Sequence, residues 1–241
     1  MVSELEEVKQ VRRKEALLRD GVPEWIVSDR TDNVQALHSM ANPDWAMPSM
    51  WVMSPADSCL VLGSSQDDAC IDFEYAEKSD VGIARRTTGG GAVYVDPQAL
   101  LWVDVFVPRG HSLWKDDINS ASTWMGGVWE SALGSLGVDS QMHIKPFKKD
   151  SLSDLVCFAG RAPGELMVGD KKILGISQRR TKQGVRFQCA LALEWKPEKW
   201  IGLFTASSIA NLQSKVFNSG RSVPLERNEV IRAFGQVLTS S

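Results

Sequence analysis

The order of apolar and polar positions divides the chain into segments of recognisable period. From Glu4 to Arg19 the residues are mostly charged around a thin stripe of Val8, Val11, Leu17 and Leu18, which predicts a solvent-facing helix. A second short helix is expected over Asp32–Met40, followed by a proline-broken loop through Pro43, Pro48 and Pro55. Cys59–Leu62 reads as a short apolar strand running into Gly63-Ser64-Ser65-Gln66. Ala92–Val95 and Leu100–Val107 are β-rich runs separated by Asp96-Pro97-Gln98, the composition of a turn between paired strands. After the break at Pro108-Arg109-Gly110, apolar residues recur at steps of three and four: Ile118, Ala121, Met125, Val128, Ala132 and Leu136. They mark a helix capped by Asp116 or Asp117 and stopped at Gly137. A meander of Glu165–Val168, Lys171–Gln178 and Val185–Leu193 follows, with turns at Gly169-Asp170 and Lys182-Gln183-Gly184. A helix from about Leu225 to Val237 closes the chain. Hairpin strands with helices around them predict an α+β fold on a mixed, largely antiparallel sheet.

Composition narrows the classes of function. The 241 residues contain no repeat or low-complexity stretch, so a single domain over residues 1–241 is expected. A net charge of −3 argues against a protein that grips nucleic acid through its phosphates. No apolar run is long enough for a transmembrane helix, and Met1–Asp20 lacks the apolar core of a signal peptide. The four cysteines (Cys59, Cys70, Cys157, Cys189) form no CxxC pair, which points to a reducing, cytoplasmic setting. The three histidines (His38, His111, His143) lack metal-site spacing, so no metal site built from protein ligands alone is expected.

Two segments stand out chemically. In Arg85-Arg86-Thr87-Thr88-Gly89-Gly90-Gly91-Ala92-Val93, three glycines beside two arginines suit a loop whose backbone closely approaches a ligand. The arginines offer bidentate donors for a carboxylate or phosphate; a flexible turn with solvated arginines is the plainer reading. The second segment is Gly169-Asp170-Lys171-Lys172-Ile173-Leu174-Gly175-Ile176-Ser177-Gln178. On a strand, Lys171 and Lys172 point to opposite faces, so one of them looks over the sheet and could stabilise a developing anion. Lysines protecting a strand edge would look the same.

The two blocks together, with Asp96 after the first, resemble the lipoate-protein ligase family in order and separation. Val61-Leu62-Gly63-Ser64-Ser65-Gln66 is similar to the family's early Leu-Gly-x-x-Gln strand. The likeness runs patchily from about residue 50 to 195. It implies the catalytic core shared by biotin and lipoate ligases, itself like that of class II aminoacyl-tRNA synthetases, without a C-terminal accessory domain. It implies that Arg85, Arg86, Thr88, Gly89, Gly90, Gly91, Ala92, Asp96, Gly175 and Gln178 bind acyl group and nucleotide, and that Lys172 is the essential lysine. The activity implied is activation of lipoate or octanoate as an acyl-adenylate with ATP and magnesium. Transfer would follow to a lysine of a lipoyl carrier domain, such as the glycine cleavage H protein or a 2-oxoacid dehydrogenase E2.

The chain departs from the family at two points. Val95 stands where members usually carry a histidine, and Pro97-Gln98 replaces Gly-Asn. Cys157, fifteen residues before Lys172, resembles the nucleophile of the cysteine-dependent octanoyltransferases in the same superfamily. Those enzymes imply transfer from an acyl carrier protein without ATP, through a thioester on Cys157. They tend to carry arginine at the third glycine, where this chain has Gly91, so the balance on sequence alone leans to the ligase. A non-catalytic acyl or nucleotide binder is the third reading. Trp102, Trp124 and Trp129 are expected in the core. Trp25, Trp45 and Trp51, near Met47, Met50 and Met53, would pack a loop or line an acyl tunnel.

Overall fold

The computed structural model describes residues 11–19, 22–147 and 151–240. Its larger sheet has eight strands in the order β1 (Val11–Arg19), β2 (Val22–Asp32), β3 (Ser49–Pro55), β7 (Leu100–Pro108), β11 (Gly184–Ala192), β10 (Lys171–Arg180), β9 (Leu166–Val168) and β8 (Gln141–Met142). Neighbours are antiparallel except β2 and β3, which are parallel. A smaller sheet sets β4 (Cys59–Leu62) between β5 (Gly82–Arg85) and β6 (Val93–Val95). The helices are α1 (Val34–Ser39), α2 (Phe73–Lys78), α3 (Ile118–Ser135), α4 (Ser151–Leu155), α5 (Ala206–Ile209), α6 (Gln213–Ser219) and α7 (Arg227–Thr239). This is the mixed, largely antiparallel α+β architecture that the pattern predicts. No helix among the described residues is long and apolar enough to cross a membrane.

Strand β7 is buried at all nine positions because both of its faces are covered. Its side chains alternate between two cores, as a period of two requires. Leu101, Val103, Val105 and Val107 join the core under α3 and α7, where Trp129 stacks on Phe234 with ring centroids 4.0 Å apart. Leu100, Trp102 and Phe106 face the opposite way, into a second core shared with Leu60, Val61 and Leu62 of the small sheet. Asp104 also lies on β7, fully buried, and accepts from Arg186 Nε at 2.6 Å and Trp102 Nε1 at 2.7 Å. Helix α3 begins at Asp117, whose carboxylate accepts from Ser120 N at 2.7 Å. It ends before Gly137, at φ +82°.

Three local expectations give way to tertiary structure. Val11–Arg19 is a strand paired with β2, not part of a helix over Glu4–Arg19; residues 4–10 of that expectation lie outside the described residues. Helix-favouring Glu, Lys, Ala and Leu differ from strand formers by well under about 1 kcal/mol each, which a sheet edge offering a full ladder overrides. The loop expected through Pro48 and Pro55 contains β3, with the prolines just before it and at its last residue, where they interrupt no central ladder. Finally, Ala92–Val95 and Leu100–Val107 do not pair with each other. The first pairs with β4 and the second with β3 and β11, so the Asp96–Gln98 turn is a crossing between sheets. The Glu165–Leu193 meander and the flanking helices fall within two residues of their expected bounds.

Candidate active site

The two sheets enclose a cavity of about 180 Å³, more than ten times the roughly 15 Å³ that one water needs. Its walls are mainly apolar, from Val61, Val93, Val95, Leu100, Trp102 and Ile176. Arg86, Gly89–Gly91, Cys157, Glu165, Lys172, Gly175, Ser177 and Gln188 add polar or close-approach positions.

Lys172 sits on the inner face of β10 with 1 % of its surface exposed, while Lys171 is half-buried on the other face. Burying an ammonium is costly unless it is paired and hydrogen-bonded. Here Nζ lies 2.7 Å from Glu165 Oε2 and donates to the carbonyl of Cys157 at 2.8 Å. Glu165 also accepts from Ala162 N at 2.7 Å. The sequence reading missed this glutamate, although its place just before the Gly169-Asp170 turn puts it across a hairpin from Lys172.

Cys157 opens a 3-10 turn, Cys157–Ala159, after α4. The glycine loop holds it in place: Cys157 N donates to Ala92 O at 2.9 Å, and Ala92 N donates to Leu155 O at 2.8 Å. Gly91 must be glycine for this approach, because a Cβ there would lie 2.6 Å from Val156 N and 2.7 Å from Ser153 O. Gly91→Ala is expected to destabilise the fold by about 1–3 kcal/mol through overpacking, read as a lower urea midpoint. Gln66 ties in the third motif, with its Nε2 donating to Leu155 O at 3.0 Å and its Oε1 accepting from Gly63 N at 3.2 Å. Three separate sequence blocks thus converge on one backbone segment.

The arginines of the first motif are engaged by the chain itself. Arg86 donates to Val61 O, Gly89 O, Gly91 O and Thr88 Oγ1. Arg85 donates to Gly63 O and Gln66 O at 2.7 Å each and pairs with Asp68. Their guanidinium groups shape the loop. Thr88 is buried against Ser177, with their hydroxyls 3.4 Å apart. Gly175 lines the cavity beside Glu165 and Phe158.

Five of the expected site residues lie off the cavity wall: Arg85, Thr88, Ala92, Asp96 and Gln178. Asp96 accepts from Gln98 N and Ala99 N and pairs with Lys199 at 3.5 Å. Although partial burial opposes it, those bonds hold its carboxyl below the usual range. Gln178 donates to Ser122 Oγ at 2.7 Å and Ile118 O at 2.8 Å, bracing α3. Among the described residues no cluster of three or more His, Cys, Asp or Glu could hold a metal ion.

The four thiols are not equivalent. Cys59, Cys70 and Cys189 are buried, and burial pushes all three up, Cys59 to about 12. Cys157 alone is only part-buried, and it lines the cavity. Among the tryptophans, Trp129 and Trp124 pack the main core, and Trp102 is a cavity wall. Trp25, Trp45 and Trp51 do not line the cavity; Trp25 and Trp51 lie on β2 and β3 in the two cores rather than packing a loop, and Trp45 packs edge-on to Phe106.

One residue that the sequence did not single out also reaches the cavity. His38, on α1, packs over Trp102 with centroids 4.4 Å apart. Burial first, then the charges of Arg186 and Arg86, push its pKa down to about 3. The unfolded chain takes up this proton below about pH 6.5, and the folded chain only near pH 3. Its contribution to stability is therefore full above pH 6.5 and falls as pH drops toward 3. At about pH 5 the loss is up to about 2 kcal/mol. Urea unfolding near pH 7 and pH 5 should show that loss in the parent protein and a smaller one in His38→Gln.

Comparisons with known proteins give the family and the fold. An octanoyltransferase LipM of Halalkalibacterium halodurans is 28% identical over 178 residues, covering 68% of this chain and 64% of that protein, so the match spans less than two thirds of the relative. Lipoate-protein ligase A subunit 1 of Thermoplasma acidophilum is 27% identical over 197 residues, covering 76% of this chain and 69% of that one. A crystal structure of lipoate-protein ligase A bound with ATP superposes with a TM-score of 0.64 at 20% identity, covering 90% of this chain and 85% of the other, which speaks to the fold. The family profile itself, that of the lipoyl protein ligase A/B catalytic domain, matches residues 35–236. That span runs from α1 into α7 and takes in every wall of the cavity, and the chain belongs to this family.

Proposed function

We propose that the chain is an acyltransferase that moves a medium-chain acyl group, octanoyl in the first instance, from a carrier thioester to a lysine of a lipoyl carrier domain through a thioester on Cys157. The observation that carries this reading is the position of Cys157. It is the part-exposed thiol of the four, it lines an apolar cavity, and Lys172 Nζ is fixed 2.8 Å from its carbonyl. In the first step the Cys157 thiolate attacks the acyl carbonyl, the carbon–sulfur bond to the carrier breaks, and the carrier leaves as a thiol after taking a proton. In the second, the unprotonated amine of the acceptor lysine attacks the Cys157 thioester, forming an amide and regenerating the thiol. Lys172, paired with Glu165 beside Cys157, stabilises the oxyanion of each step. An acyl carrier protein is the donor, and an H protein or E2 lipoyl domain the acceptor.

This reverses the balance struck on sequence alone. Adenylate formation brings a carboxylate against a phosphate. Arg85 and Arg86, the two arginines that the glycine-rich motif offers for that, are engaged by acceptors of the chain. ATP-dependent ligation of lipoate or octanoate remains the second reading, favoured by glycine at position 91 and by the sequence match to a lipoate-protein ligase subunit. Intact mass of an apo lipoyl domain separates the two. A gain with octanoyl-carrier protein and no ATP supports the transferase. A gain only with octanoate, ATP and magnesium overturns it in favour of the ligase, and no gain in either mixture overturns both.

A further inference from the structure

The cavity has two ends. At one, Lys172 and Cys157 are joined through the Cys157 carbonyl, and Phe147, half-exposed, packs close to Gly160. At the other stands Trp102. The register sets the separation: Gly175 pairs with Ala190, and Ala190 with Trp102, so Trp102 lies two strands from Gly175, about 10 Å across the sheet. Lys172 is three residues from Gly175 along β10, again about 10 Å. The two ends are therefore on the order of 14 Å apart at the backbone, before the lysine and indole side chains enter that space. An extended chain gains about 1.2 Å per bond, so an octanoyl chain attached at Cys157 reaches about 8–9 Å.

The far end is stiff. The Trp102 indole is fixed by its bond to the Asp104 carboxylate, and Asp104 is fixed by Arg186. His38 covers the indole face, carried by a helix whose Val34 and Leu37 are fully buried and whose Val34 N donates to Asp57 at 2.8 Å. An uncharged imidazole packed on an indole is an apolar surface, and protein interiors yield little to an added methylene.

We propose that His38, braced on Trp102, is the wall that sets the length of acyl chain this cavity accepts. The inference rests on the reading that the cavity holds the medium-chain acyl group of the proposed function. His38 touches the chain terminus, far from the reacting atoms, and is a specificity residue.

The test measures binding of hexanoate, octanoate, decanoate and dodecanoate to the full chain by calorimetry, which requires no catalysis. The parent protein should prefer octanoate. His38→Ala should raise the dodecanoate-to-octanoate affinity ratio by about tenfold or more. His38→Trp should shift preference toward hexanoate by a similar factor, and it keeps the question open if the alanine variant folds poorly. An unchanged length profile in both variants, or no preference in the parent, overturns the proposal. Acylation of Cys157 by octanoyl thioester, followed by mass, tests the transferase reading separately. A length preference that moves with His38 but no acylated Cys157 would sink the transferase and leave the wall standing. Acylated Cys157 with an unmoved profile would do the reverse.

Discussion

Cys157→Ala is expected to abolish transfer from an octanoyl-carrier thioester, by on the order of 10³-fold or more, and to remove any covalent acyl adduct from the protein. Loss of a nucleophile cannot be made good by binding, because the acceptor amine would have to find the donor thioester within one ternary complex. The fold should survive. Only the side chain is removed, it is part-exposed, and the backbone bonds of Cys157 to Ala92 and Lys172 are unchanged. The melting temperature should therefore move by less than about 4 °C. Cys70→Ala, which removes a buried thiol outside the cavity, serves as the control and should keep transfer. If Cys157→Ala retained full activity, the thioester mechanism would be wrong whatever the donor.

The second large effect belongs to the buried ion pair. Lys172→Met leaves Glu165, 4 % exposed, without its cation, and breaking a buried pair on one side costs about 3–5 kcal/mol. Replacing both partners is different, because a neutral pair carries no orphaned charge. Lys172→Met combined with Glu165→Gln should recover most of the loss in urea unfolding, since the glutamine oxygen can still accept from Ala162 N. Transfer should stay down by about 10²–10³-fold in both proteins, because neither has the cation beside Cys157. Recovery of activity along with stability would reduce Lys172 to a structural role. A double variant no more stable than the single one would show that the pair does not behave as a coupled unit.

Much of the fold is legible in the chain because its signals are local. Helix α3 declares itself through apolar steps of three and four between Asp117 and Gly137, and the Glu165–Leu193 meander through its two turns. Errors fall where local preference is weak and a distant partner decides. Val11–Arg19 takes strand geometry from β2, and Ser49–Pro55 takes its place between β2 and β7 despite flanking prolines. The site divides in the same way. The Arg85–Ala92 and Lys171–Gln178 blocks are visible as motifs, but their residues play different parts once folded. Gly91, Gly175 and Lys172 line the cavity; Arg85 and Asp96 brace loops around it, and Gln178 braces α3.

What the sequence determines by itself is therefore the family and the chemistry on offer. Three glycines beside two arginines, a lysine on a strand and one cysteine upstream are covalent facts that no packing alters. Tertiary structure alone decides which of those groups are free to act. Whether a cation can meet a substrate depends on the acceptors within about 3 Å of it, and for the arginines those come from other segments: Val61 O for Arg86, Asp68 for Arg85. The same holds for His38. Along the chain it is one of three scattered histidines, and only the meeting of α1 with β7 sets it on Trp102 at the end of the cavity.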